Sequence, residues 1–93
     1  MNGYDKATIR DKGVCILCGY HKVHRHHVIF RSRQGNDSEL NIVLLCTKHH
    51  NSAHRNQPKY EKIFIEYLES HYCTINKRDM KKKDRYSNFA IPK

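Results

Sequence analysis

Tryptophan is missing from this 93-residue chain, and large aliphatic residues are sparse. The candidates for a core are Val14, Ile16, Leu17, Val28, Ile29, the run Ile42–Leu45, and Ile63, Phe64, Ile65 and Leu68. A chain this short buries too little surface to rest on so thin a set. A staple is therefore expected: a disulfide, a metal or a partner chain. No apolar run approaches the ~18–20 residues that span a bilayer. The opening "MNGYDKATIRDKG" lacks the apolar segment of a secretory signal, so a reducing, cytoplasmic location is expected. In that compartment four cysteines read as metal ligands rather than disulfides. Acidic residues are scarce too, with 9 Asp+Glu against 18 Lys+Arg and a formal charge of +9. Such a balance points to a polyanion, most often nucleic acid, with plain solubility as the bland alternative. A zinc module for protein interaction fits poorly with that charge.

Against these absences stands a surplus of histidine. The stretch "HRHHVIFRSRQGNDSELNIVLLCTKHHNSAH", His24 to His54, holds six of the eight histidines. Imidazoles are rarely chosen for packing and repel one another once protonated, so a cluster of this density answers to a metal, a proton transfer or both.

The chain divides into four parts. Residues 1–13 are polar, an arm or a short helix, and residues 14–56 carry every motif. "CILCG" is a knuckle, with Cys15 and Cys18 around a tight turn closed by Gly19. "KVHRHHVI" at 22–29 reads as a strand, "FRSRQGNDSEL" as a polar loop, and "NIVLL" as a second, buried strand. "TKHHNSAHRN" follows as a short helix with Thr47 as its N-cap. Residues 57–73 form a covering helix opened by Pro58, with Tyr60, Ile63, Phe64, Tyr67 and Leu68 on one apolar face. Residues 74–93 are a basic tail, read as mobile and in contact with nucleic acid, or as merely solvated.

Cys15-x2-Cys18 and Cys46-x2-His49 are two half-sites whose spacing lets four ligands surround one Zn²⁺ tetrahedrally. His50 and Cys73 compete with His49 for the fourth place, and His49 has the better spacing. A structural ion there supplies on the order of 10 kcal/mol or more of folding free energy in small metal-dependent folds. His26, His27, His50 and His54 then remain. His50 and His54 are four residues apart on a predicted helix and share a face.

The pattern "HHV…RS…G…NIVLLC…HH…H" resembles the HNH endonucleases over roughly residues 14–55, including the zinc-knuckle elaboration of bacterial and phage members. The resemblance implies a small α+β fold: a zinc-stapled ββα-metal (His-Me finger) core with flanking helices. It implies His27 as general base, Asn41 as the central Asn, and His26 and His50 as ligands of a catalytic ion. His54 becomes an additional ligand or a phosphate contact. Two positions depart from the family pattern: His49 stands where Cys is usual, and Gln34-Gly35 where two glycines are frequent.

The chemistry has its own logic. Phosphodiester hydrolysis needs a deprotonated water in line with the leaving oxygen and a cation beside the developing charge. Arg31 and Arg33, in the loop after the base, suit phosphates, and a solvated basic loop is the equal alternative. Asn41 would hold that loop or touch the metal. The expected activity is DNA cleavage leaving 5′-phosphate and 3′-hydroxyl ends. Its ion would be Mg²⁺, Mn²⁺, Ni²⁺ or Zn²⁺, and an all-imidazole site suits the later transition metals. The chain is expected to work as a monomer or weak dimer, with phage packaging or other DNA-processing proteins as partners. The alternative is a non-catalytic, zinc-stabilised nucleic-acid-binding module. One geometric obstacle stands out: neighbouring residues of an ideal strand, such as His26 and His27, point to opposite faces.

Overall fold

A computed structural model describes residues 2–72, 75 and 77–81. Cys73, the rival zinc ligand, and the tail beyond Lys81 lie outside the described residues. The fold is small and α+β, with three α-helices and a two-stranded antiparallel sheet.

Helix α1 spans Gly3–Arg10, so the N-terminal part is a helix rather than an arm. Asn2 caps it, its side chain accepting from the Asp5 N–H at 2.9 Å. Strand β1 is His24–His27 and β2 is Ile42–Leu45, paired so that His26 stands opposite Val43 and His27 opposite Ile42. Helix α2 runs Thr47–Arg55 and α3 Gln57–His71, with Pro58 in the first turn of α3. Cys46, not Thr47, is the N-cap of α2. The Thr47 hydroxyl is bonded to His24 Nε2 at 2.9 Å instead, a tertiary partner that α2's own spacing does not reveal.

Alternation sorts β2 between two packing faces. Val43 and Leu45 join Val28, Ala53, Phe64 and Leu68 in the core beneath α2 and α3. Ile42 and Leu44, equally buried, bury on the side where α1 packs. There the Asp11 carboxylate, wholly inaccessible, accepts from Arg10 at 2.7 Å, from the Leu44 N–H at 3.0 Å and from the Tyr67 hydroxyl. Desolvation disfavours a charged Arg10, but its bonds to Asp11 and Tyr72 outweigh that cost and raise its pKa. Burial first, then Asp11, pushes the Tyr67 hydroxyl up to about 12. This network ties the end of α1 to β2 and α3.

Two expectations are corrected. Leu17 is 37% exposed rather than in the core, because the tip of the knuckle projects outward. The segment after α3 is packed where it is described, not a mobile tail: Lys77–Met80 form a 3-10 turn and Met80 is fully buried in the core. Asn36 holds it in place, its amide donating to the carbonyls of Asp79 at 2.8 Å and Lys81 at 3.2 Å. Ile75 packs against the same core, and Lys77 reaches Glu61 at 3.4 Å.

Among the described residues no helix is long and apolar enough to cross a membrane.

Candidate metal centres and active-site cleft

The knuckle and the start of α2 converge. The backbone closes the knuckle turn through Cys15 N–H to Tyr20 O at 2.9 Å and Gly19 N–H to Cys15 O at 2.8 Å. Cys18 Sγ then lies 3.7 Å from Cys46 Sγ, and His49 Nδ1 lies 3.6 Å from Cys15 Sγ and 3.2 Å from Cys46 Sγ. Zinc bonds of ~2.3 Å to sulfur and ~2.0 Å to nitrogen set tetrahedral edges of about 3.8 Å between sulfurs and 3.5 Å between sulfur and nitrogen. These three separations are close to the edges that a Zn²⁺ requires, and all four ligand atoms lie within 4.8 Å of one another. Burial disfavours ionising Cys15, but backbone N–H groups of Cys46, Leu17 and Cys18, together with the Cys18 thiol, outweigh it and bring the thiol down to about 6. The Cys3His set predicted from spacing is thus assembled, with His49 as fourth member, and is compatible with structural zinc.

A second cluster joins β1 to α2. One ligand nitrogen each from His26, His50 and His54 lies within 4.8 Å of the others. His50 Nε2 and His54 Nε2 are 3.1 Å apart, close to the edge of about 3.3 Å between two imidazoles on one tetrahedral ion. His26 is 2% exposed and packs edge-on against Phe64, with ring centroids 5.4 Å apart. Its Nδ1 is buried with no hydrogen-bond partner. An orphaned buried imidazole nitrogen costs about 1–3 kcal/mol. Burial, then the facing His50 and His54 and the neighbouring His27, pushes His26 down to about 3. His50 is also held below its ordinary value, by burial, then His54, then His24. Neutral imidazole is the form that ligates, so this environment suits a metal. The three residues fit a divalent ion of the borderline type.

The cluster opens into a cleft of about 290 Å³ lined by Arg25, His26, His27, Phe30, Arg31, Ser32, His50 and His54. His26 and His27 thus border one cleft despite alternating on β1. They stand at the strand's end, where the chain leaves the sheet and turns into the loop. Phe30 closes the apolar side by stacking on His54 at 4.9 Å. On the outer side His27 Nε2 is 2.8 Å from Asp37 Oδ1.

Asn41 lies behind the cleft, fully buried. Its Oδ1 accepts from the Ile29 N–H at 2.8 Å, while its Nδ2 donates to Ile29 O at 3.0 Å and Asn36 O at 2.9 Å. It therefore holds the β1–β2 loop shut, with both polar atoms of its side chain bonded to backbone groups. Gly35 makes this clasp possible, because a Cβ there would fall 1.7 Å from Ile29 O and 2.8 Å from Asn41 Nδ2. A glycine at this one place is a steric requirement.

Of the two loop arginines, Arg31 lines the cleft and Arg33 does not. Sequence reasoning missed Arg25, which lines the cleft with its guanidinium 4.3 Å from the centroid of the Tyr4 ring. It missed Asp37 and Tyr4 as well. Alternation marks Arg25 as a neighbour of His27 on the same strand face, the one signal that could have found it. His24, left without a role, stacks on His50 at 5.6 Å between ring centroids.

No family model, curated protein or solved structure matches this chain.

Proposed function

We propose that this chain is a metal-dependent endonuclease of the HNH type, hydrolysing DNA phosphodiester bonds on a zinc-stapled ββα-metal core. The observation that carries the reading is the buried, unpartnered His26 Nδ1 within a three-imidazole cluster, in a cleft that also holds His27 and two arginines. A structural role for the rings does not account for that combination. A packed histidine normally finds a partner for both nitrogens, and a packing cluster does not line an open cleft with cations.

His26, His50 and His54 would hold the divalent ion, which when bound supplies positive charge beside the leaving 3′-oxygen. His27 takes the proton from the attacking water. Arg25 and Arg31, which line the same cleft, bind the phosphate. Asn41 acts at a distance, keeping the loop that follows the base in one conformation. Three nitrogen ligands without a carboxylate favour Mn²⁺, Ni²⁺ or Zn²⁺ over Mg²⁺, which prefers oxygen.

A second reading, a zinc-stabilised nucleic-acid-binding module without activity, draws on the Cys3His cluster and the charge of +9 alone. Plasmid nicking separates the two. Purified protein is expected to nick supercoiled plasmid with Mn²⁺, Ni²⁺ or Zn²⁺ and less with Mg²⁺, to stop in EDTA, and to lose at least ~100-fold in rate as His27→Ala. Salt-sensitive DNA binding without cutting under any of these ions would reject the nuclease and leave the binding module.

A further inference from the structure

The loop between β1 and β2 carries an acidic residue that the chemistry above does not use. Asp37 presents Oδ1 at 2.8 Å from His27 Nε2, although the two are ten residues apart in the chain. Two further groups meet this carboxylate. The Tyr4 hydroxyl donates to Oδ1 at 3.5 Å, and Arg31 Nε lies 3.9 Å from the same oxygen. The backbone of Asp37 is clamped against the start of α1, where a Cβ on Gly3 would fall 2.0 Å from the Asp37 carbonyl oxygen. Tyr4 also meets His27 edge-on, with centroids 6.3 Å apart, and carries Arg25 on its face. Helix α1, outside the region of resemblance, thus packs through Tyr4 against His27 and Arg25, two residues that line the cleft.

A carboxylate can only accept, so the contact requires the His27 proton on Nε2. The lone pair of a neutral ring is then on Nδ1. A base whose proton sat on the wrong nitrogen would be correctly placed and inactive, which is why orienting partners of histidines matter so much to rate. The side chain of His27 is 15% exposed and that of Asp37 47%, so the contact lies towards the surface, while His27 also lines the cleft.

We propose that Asp37 is a positioning residue: it accepts the Nε2–H of His27 and so keeps Nδ1 as the nitrogen that takes the proton from water. Its consequence for rate rests on the nuclease reading; the assignment of the tautomer does not. The proton moves from water oxygen to Nδ1 as that oxygen bonds to phosphorus and the P–O3′ bond breaks; O3′ leaves with the bonding pair and takes a proton from solvent, while Nε2–H keeps its hydrogen bond to Asp37 throughout.

The test has two arms on the full, zinc-loaded chain. In the first, long-range ¹H–¹⁵N correlation spectra at about pH 8.5, above the ordinary histidine range of ~6.5, report the His27 tautomer. Wild type is expected to show protonated Nε2. Asp37→Ala is expected to show a tautomer mixture, and Asp37→Asn, whose amide can donate, a shift toward protonated Nδ1. A His27 pattern with protonated Nδ1 in wild type, or one unchanged across the variants, overturns the proposal. In the second, nicking by Asp37→Ala and Asp37→Asn is expected to fall ~10–1000-fold in kcat with KM for plasmid nearly unchanged, and Asp37→Glu to recover most of it. Unchanged kcat in Asp37→Ala, with wild type active, overturns the positioning role. A merely structural role for Asp37 would move stability and leave the tautomer of His27 alone; Asp37→Asn, nearly isosteric, keeps the loop folded for that comparison. Wild type that cuts nothing rejects the nuclease reading by itself, and the spectra still decide whether Asp37 sets the ring.

Discussion

At Asn41 a single side chain satisfies three backbone groups, the N–H and C=O of Ile29 and the C=O of Asn36, with no solvent exposure. Removing it strands buried donors and acceptors that each cost about 1–3 kcal/mol unpaired. Asn41→Ala is therefore expected to lose about 3 kcal/mol or more in urea denaturation of the zinc-loaded protein. Asn41→Asp, which keeps the acceptor for Ile29 N–H but neither donated bond, should be little better. Loss below 1 kcal/mol would mean the loop is held elsewhere. The position of this Asn in the resemblance was legible in the sequence, but its work was not. Whether it clasps a loop or touches a metal depends on Gly35 letting the Ile29 carbonyl come close, and that is a contact across the loop. The case of His26 is similar. Its type and its neighbour His27 are read from the chain, but its depressed pKa of about 3 follows from burial against Phe64 and from the imidazoles of α2.

Among the elements, α2 serves both metal clusters. One turn presents His49 to the knuckle and the next positions present His50 and His54 to β1, because successive residues on a helix face different directions. The two clusters are expected to be energetically unequal. An ion at the knuckle would join segments 28 residues apart and supplement a thin core; an ion in the cleft would sit on elements already packed against that core. Native mass spectrometry of zinc-loaded protein should find two ions. His50→Ala should hold one and unfold thermally within a few degrees of wild type. Cys46→Ser should lose the knuckle ion and unfold cooperatively at much lower temperature, since a structural zinc contributes on the order of 10 kcal/mol, as much as a small domain's whole stability. Equal destabilisation by both variants would contradict this division. The half-sites were legible because each spacing is local, two residues between ligands on a turn. The docking of α1 was not legible, because it depends on Asp11 reaching Leu44 across 33 residues.

For the molecule as a whole, the charge of +9 would govern the approach to a polyanion on the proposed reading, rather than the chemistry. Arg25 and Arg31 border the cleft, so a bound backbone would neutralise phosphates close to the imidazoles. Binding of duplex DNA to His27→Ala, which should bind without cutting, is expected to weaken ~40–150-fold between about 50 and 200 mM salt, the slope for roughly three or four phosphate contacts. Affinity indifferent to salt would remove nucleic acid as the partner.

The sequence by itself determined the residue types, their order and their local spacings: the two half-sites, the strand–loop–strand–helix order of residues 22–56, and the helical histidine pair. These are properties of short segments, where backbone periodicity dictates which side chains are neighbours. Only the tertiary structure decided which residues meet across the fold. It brought His26 and His27 to one cleft at a strand end, closed the Asn41 clasp over Gly35, docked Met80 in the core, and set Tyr4 and Asp37 against His27. Each of these depends on the antiparallel register and on the close approach of loops far apart in the chain, and no local pattern encodes such distances.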